Sequence, residues 1–308
     1  MQTTESFKRK IKSAQDLLGV VKTMKALAAV SIRQYQRAVE SLTEYNRTVE
    51  MGIEIALKKM TRDISPVRKS TVNRIGAIVF GSDQGLCGQL NAGIANHAMD
   101  EMAALGVKTE NRAVICVGMR PADILEDMGQ EVLEVLDTPS STASITPMVQ
   151  DITMILEEWR FRHQLEHVYL YYSEYISGAN YRQKTLRILP VDQTWLETLR
   201  KKKWVSRTLP TFTMDWENLF RSLIREYLFV SLYRAFAESL ASENASRLAA
   251  MQNAEKNIEE RLEELFVQFH RQRQMIITEE LLDIVAGFEA LTGKKQKSVQ
   301  KGGLRHDG

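Results

Sequence analysis

IKSAQDLLGVVKTMKALAAVSIRQYQRAVESLTEYNRTVEMGIEIALKKM, residues 11–60, decides the fold. Steps of alternately three and four residues from Ile11 reach Ala14, Leu18, Val21, Lys25, Ala28, Ile32 and Tyr35. They continue through Val39, Leu42, Asn46, Val49, Ile53, Ala56 and Met60, and only Lys25 and Asn46 are polar. A repeat averaging about 3.5 residues keeps one apolar seam turned toward a partner helix. No proline precedes Pro66, so the first segment reads as one helix over 1–65. The far end of the chain repeats the pattern. Trp216, Phe220, Leu223, Tyr227 and Val230 open a second seam that runs on to Leu265 and Phe269. It then shifts by one, to Ile277, Leu281, Ile284, Phe288 and Leu291. Each seam needs a partner, because helix stability comes mainly from burying the apolar stripe. The chain supplies one at its other end, at less entropic cost than a second copy would demand.

Between the seams the period changes. RIGAIVF at 74–80, RAVICVG at 112–118, EVLEVLD at 131–137, HVYLYY at 167–172 and TLRILPV at 185–191 read as strands. Helices are expected at 91–105, near 121–128 and at 145–163. Alternation of this kind argues a mostly parallel sheet with right-handed crossovers. The expected fold is therefore a long antiparallel coiled coil of N- and C-terminal helices with an inserted Rossmann-like α/β domain. Its parts are helix 1–65, domain 70–192, connector 193–212, helix 213–291 and a disordered basic tail 292–308. By length the second helix exceeds the first, so its last turns need a partner outside the pair.

Composition narrows the function. The net charge is +2, yet residues 1–70 hold 14 basic and 7 acidic groups while 71–190 hold 9 and 15. Lys22, Lys25, Arg33 and Arg37 fall in an acid-poor stretch, 17–39, which favours a negatively charged partner. Cys87 and Cys116 form no CxxC pair, and no metal site is expected. No apolar run is long enough to span a membrane.

GSDQGLCGQLN at 81–91 follows a strand and precedes a helix, the place of a phosphate cradle. Its GxxxGxxG spacing is neither GxGxxG nor GxxxxGK[ST], and it lacks a lysine. The plainer reading is a tight connection capped by Asp83 or Asn91. Cys87 with His97 as base is the corresponding thiol-enzyme reading, opposed by the absence of an orienting acid. The alternative to a mechanical role is thus a nucleotide-binding or thiol-based α/β enzyme with helical arms.

Four motifs carry a resemblance over nearly the whole chain. They are VVKTMKALAAVSIRQYQ at 20–36, GSDQGLCGQLN at 81–91, ASENASRLAAM at 241–251 and RQMIITEELLDIVAG at 273–287. In this order the chain resembles the gamma subunit of the F-type rotary ATP synthase. Departures are Gln84 where arginine is usual, Ile32-Arg33 for a lysine-methionine pair, and Phe288 for alanine. They are those of a divergent or alternative-type complex. The resemblance implies a shaft inside a ring of alpha and beta subunits, with the α/β domain on the membrane c-ring beside an epsilon subunit. It implies no catalytic residue and no cofactor in this chain, no nucleic-acid partner, and a peripheral place on the cytoplasmic face of a bacterial or archaeal inner membrane. By motif match, Arg273, Gln274, Thr278 and Glu280 would face a catch region of beta, and Met24 and Lys25 its acidic lever. Trp204, beside the basic run 200–203, would lie near the rotor ring.

Overall fold

A computed structural model describes residues 4–59, 73–204, 208 and 210–302, with side chains as far as Phe288. The Ser65-Pro66 break, Met60 and residues 303–308 lie outside them. The elements run α1 (Thr4–Lys58), β1 (Ile75–Phe80), α2 (Leu90–Ala104), β2 (Arg112–Val117), α3 (Met119–Asp127) and β3 (Glu134–Leu136). They continue with α4 (Thr142–Arg162), β4 (His167–Ser177), β5 (Asn180–Leu189), α5 (Gln193–Lys201) and α6 (Trp216–Gly302). The chain forms two compact units, 1–23 with 253–308, and 24–252.

In the first unit, Phe7 and Ile11 of α1 bury themselves against Leu262 and Leu265 of α6, flanked by Ala14, Leu18, Ile258 and Phe269. Lys22 reaches Glu259 at 3.4 Å and Glu255 at 3.8 Å. These pairs fix an antiparallel course. Both lysine contacts are solvent-exposed enough that they add only about 0–1 kcal/mol. The apolar contact holds the pair. Beyond Phe269 the shifted seam is exposed: Ile277, Leu281, Ile284 and Phe288 are 45%, 57%, 69% and 68% exposed. The helix passes Leu291 and runs to Gly302. The stretch 292–302 was expected to be disordered from its polarity. It contains no proline, and its lysines and glutamines are good helix formers.

In the second unit the two long helices again run antiparallel. Trp216 Nε1 donates to the Ala56 carbonyl at 2.7 Å, and the Tyr45 hydroxyl meets Glu226. Eleven residues up α1 correspond to ten along α6. Ile53 and Leu57 are fully buried beside Leu223, Ile224 and Tyr227. Gly52 lets Leu223 approach so closely that an added Cβ would lie 2.8 Å from its Cδ2. The connector carries a helix the periodicity did not signal, α5, started by Asp192 accepting from the Thr194 amide. Leu196 and Leu199 of α5 complete the same cluster.

The inserted domain is a five-stranded sheet in the order β3-β2-β1-β4-β5. The first four strands are parallel, and β5 returns antiparallel to β4 through a turn at Gly178. Period-two alternation sorts β1 between two layers. Ala77 and Val79 face α2 and α3 in one apolar cluster. Ile78 and Phe80 face α4 and α6 in the other, which Tyr35 of α1 also joins. So α6 is one of the two helices that cover a face of the sheet.

Ile53→Ala should cost about 2–5 kcal/mol, the range for emptying a filled apolar site. Urea unfolding of the full chain measures it, and a loss below 1 kcal/mol would mean the helix pair is not the packed element described.

Candidate functional site

The loop after β1 is the densest polar cluster of the domain. Gly81 N–H donates to the Val117 carbonyl at 2.9 Å. Ser82 N–H donates to Asn91 Oδ1 at 3.0 Å, and Asn91 Nδ2 returns a bond to Ser82 Oγ at 2.8 Å. Asp83 accepts from Met119 N–H at 3.1 Å and from both Thr138 N–H and Oγ1, at 2.7 and 2.6 Å. It therefore caps α3 and ties down the segment after β3. Neither Asp83 nor Asn91 caps α2, as the sequence reading had it. Asn91 instead holds the loop from the first turn of that helix.

A crevice outside the carboxyl ends of a doubly wound sheet, where the strand order reverses, is the usual ligand site. Here it lies between β1 and β4, and α6 fills it. Phe236 packs edge-on to Phe80 at 4.9 Å between ring centres. Ser242 Oγ donates to the Ser173 carbonyl at 2.9 Å, and Ser246 Oγ to the Cys87 carbonyl at 2.6 Å. Gly88, with φ at +58°, sits with its absent Cβ 3.2 Å from Ser246 Oγ. Arg247 Nη2 donates to Glu243 Oε1 at 2.6 Å and approaches the Gln84 carbonyl at 3.4 Å. The Gly81 and Ser82 amides, the Asn91 side chain and the Gln84 and Cys87 carbonyls are thus engaged by the protein itself. That geometry speaks against the nucleotide-cradle reading.

Two of the resembling motifs, 81–91 and 241–251, prove to be the two halves of one junction. The segment 235–246 is buried on every side except at Asn244, which is half-buried. Small residues make this possible: Ala235, Ala237, Ala241, Ala245 and the intervening serines let strand ends approach the helix backbone. The signal in the sequence was the run of small residues, alanine and serine, over AFAESLASENAS, which leaves little side chain to hold a neighbouring backbone away. Two carboxylates are buried with it. Glu238 pairs with Arg234 at 2.6 Å, and Glu243 pairs with Arg247 at the same distance. Burial pushes the Glu243 carboxyl above its ordinary range; Arg247 opposes the shift and Asp83 adds to it.

The thiol reading fares no better. Cys87 is buried and contacts Ser82, Asn91 and the Gln84 carbonyl, while His97 Nε2 bonds Thr185 Oγ1 at 2.9 Å. None of these bonds joins thiol to imidazole. Burial pushes the Cys116 thiol up to about 12, which leaves it protonated and inert.

The residues singled out for partner contact fall on the helices and the connector. Arg273, Gln274, Thr278 and Glu280 lie exposed within two turns of α6, with Thr278 Oγ1 bonded back to the Gln274 carbonyl. Met24 and Lys25 are half-buried on α1. Trp204 follows α5, its Nε1 donating to the Thr208 carbonyl at 3.1 Å and the Lys58 ammonium 5.9 Å from its ring.

Arg247→Ala should destabilise the full chain by about 3–5 kcal/mol, because it strands the Glu243 carboxylate inside the junction. The double variant Glu243→Gln, Arg247→Met should recover much of that loss in urea unfolding. Equal losses for the single and double variants would show that the pair itself, rather than the stranded charge, sets the cost.

Comparison with known proteins agrees with this architecture. The family model described as ATP synthase matches residues 3–291. The ATP synthase gamma chain of Desulfitobacterium hafniense is 27% identical over 300 residues, covering 94% of this chain and all of that one. Among solved structures, a chain of the Euglena gracilis mitochondrial ATP synthase (OSCP/F1/c-ring) superposes with a TM-score of 0.66 at 17% identity, covering 99% and 98% of the two chains. One from the central stalk/c-ring of the Tetrahymena thermophila enzyme gives 0.54 at 19% identity, covering 76% and 99%. The last two show likeness of fold. The family match, spanning both long helices and the domain between them, makes this chain a member of the ATP synthase gamma chain family.

Proposed function

We infer that this chain is the central shaft of a rotary ATP synthase and couples ion-driven rotation of a membrane c-ring to ATP synthesis or hydrolysis in a ring of alpha and beta subunits. The observation that carries the reading is the bare end of α6. Met275, Ile277, Leu281, Leu282, Ile284, Val285 and Phe288 are all 45% or more exposed. A stripe of that size on one helix marks an interaction surface. A ring of subunits closed around the helix would bury this apolar face.

In this reading the helix pair turns within the ring and presents unequal faces to each beta subunit in turn. A contact that differs between open and closed states shifts their populations as a ligand of unequal affinity does. Arg273, Gln274, Thr278 and Glu280 supply polar contacts to a beta catch region, and Met24 and Lys25 meet an acidic lever. Trp204 and the basic turn before it stand near the c-ring, with an epsilon subunit beside the domain. The chemistry belongs to the other subunits, and this chain has no catalytic site of its own. Among the described residues no helix is long and apolar enough to cross a membrane. Attachment to the cytoplasmic face of an inner membrane then runs through the c-ring.

Affinity capture of the full chain from native membranes should recover alpha and beta in equal amounts, each in excess over it, together with epsilon. Recovery of the chain without them would overturn the assignment. The paired substitution Leu281→Asp, Ile284→Asp should leave the stability of the isolated chain within about 0.5 kcal/mol, as for exposed positions. The same variant should fail to assemble with alpha and beta, read by native gel. Met24→Lys places a charge on the contact face of α1. It should lower ion pumping relative to ATP hydrolysis, measured together in vesicles; a matched ratio would refute the placement of Met24.

A further inference from the structure

Away from the helix ends and the loop junction, a hollow of about 330 Å³ opens among α4, α6 and the last residues of β5. Small-molecule clefts of proteins hold about 300–1,000 Å³. Its floor is dry: Leu156, Ile188 and Leu232 line it and are 6%, 0% and 1% exposed. Ile224 and Leu228, half-buried on the same face of α6, make an apolar wall.

The rim is cationic. Arg160 of α4 and Arg221 of α6 both line the hollow and are exposed. The two helices run antiparallel here, since Tyr233 meets Thr142 while Arg225 meets Glu157. Arg160 follows Glu157 along α4, and Arg221 precedes Arg225 along α6. The antiparallel course therefore carries both arginines to the same side of the Glu157–Arg225 pair. The neighbouring acids are already engaged. Glu157 lies 3.9 Å from Arg225, and Glu158 lies 2.9 Å from Arg162. Neither Arg160 nor Arg221 forms an ion pair among the described residues. Two like charges turned to one hollow repel each other, and an anion between them removes that cost. The flat guanidinium fork fits a carboxylate or a phosphate.

We propose that this hollow binds an amphiphilic anion, a carboxylate or phosphate monoester on a short apolar chain. Arg160 and Arg221 hold the acidic head, and the chain lies on Leu156, Ile188, Ile224 and Leu228. The hollow shares no residue with the exposed end of α6 or with the loop junction, so the inference does not rest on the subunit contacts above.

The test is calorimetric titration of the full chain at low salt, with every probe kept below micelle formation. Sodium decanoate and decyl phosphate should each bind once per chain. Both should bind at least about tenfold more tightly than decyltrimethylammonium, whose head the arginines repel. Acetate and inorganic phosphate, which lack the chain, should not bind measurably. The variant Arg160→Gln, Arg221→Gln should weaken decanoate at least about tenfold, each arginine supplying about threefold as an exposed ion pair does. Should that variant melt early by circular dichroism, the two single substitutions must each weaken decanoate by about threefold. Leu281→Asp, Ile284→Asp should bind decanoate as the unaltered chain does, which separates the hollow from the apolar end of α6. Equal affinity for the anionic and cationic probes overturns the proposal, as does a decanoate affinity that survives loss of the arginines or falls with Leu281 and Ile284. Binding to phosphatidate vesicles without binding of decanoate also overturns it, because a lipid surface and no hollow would then be the ligand.

Discussion

Burial of α6 in the crevice of the parallel sheet is the constraint on which the rest of the second unit depends. Phe236, Ser242 and Ser246 occupy the space outside β1 and β4 that a doubly wound sheet leaves open. A helix can enter so deeply only if its side chains are small, and Ala237, Ala241 and Ala245 are fully buried there. The cost is two buried carboxylates, each matched by an arginine one turn away. Buried ion pairs are weak contributors to net stability, but breaking one by removing its partner is costly. The domain and the helix are tied by the Ser242–Ser173 and Ser246–Cys87 hydrogen bonds, which sliding would break.

The same helix serves a second purpose in the first unit. There α6 is covered by α1 along one stripe only, and past Phe269 it is mostly exposed. One sequence thus passes from complete burial, through one-sided burial, to exposure. The gradient follows composition. Alanine and serine dominate the enclosed part. Glu255, Glu259, Glu260 and Glu263 solvate the half-covered part, and branched apolar residues return where the helix is exposed.

Much of this was legible before any coordinates. Every described seam position on α1 from Ile11 to Ala56 is buried or half-buried, Lys25 and Asn46 included. The five strands and three helices of the domain lie where the change of period put them, within a few residues. What escaped was nonlocal. That Asp83 would cap α3, more than thirty residues away, follows from the order of strands and from no local pattern. That the loop 81–91 and the helix 241–251 would meet follows only once α6 is seen to cover the sheet. The connector helix α5 was missed because its buried face is short, Leu196 and Leu199, and runs straight into the basic stretch 200–203 that reads as loop. The end of α6 was placed too early because polarity was read as disorder, although nothing between Leu291 and Gly302 stops a helix.

The account rests on α1 and α6 pairing within one molecule, head to tail. Nitroxide labels at Tyr45→Cys and Glu226→Cys test that directly, since Cys87 and Cys116 are 1% and 0% exposed and stay unlabelled. Electron–electron distance measurement should give one narrow peak near 20 Å, roughly an interhelical spacing plus the label arms, unchanged by dilution with unlabelled chain. A broad or long distribution, or a peak that fades on such dilution, would mean that the helices find their partners in another copy.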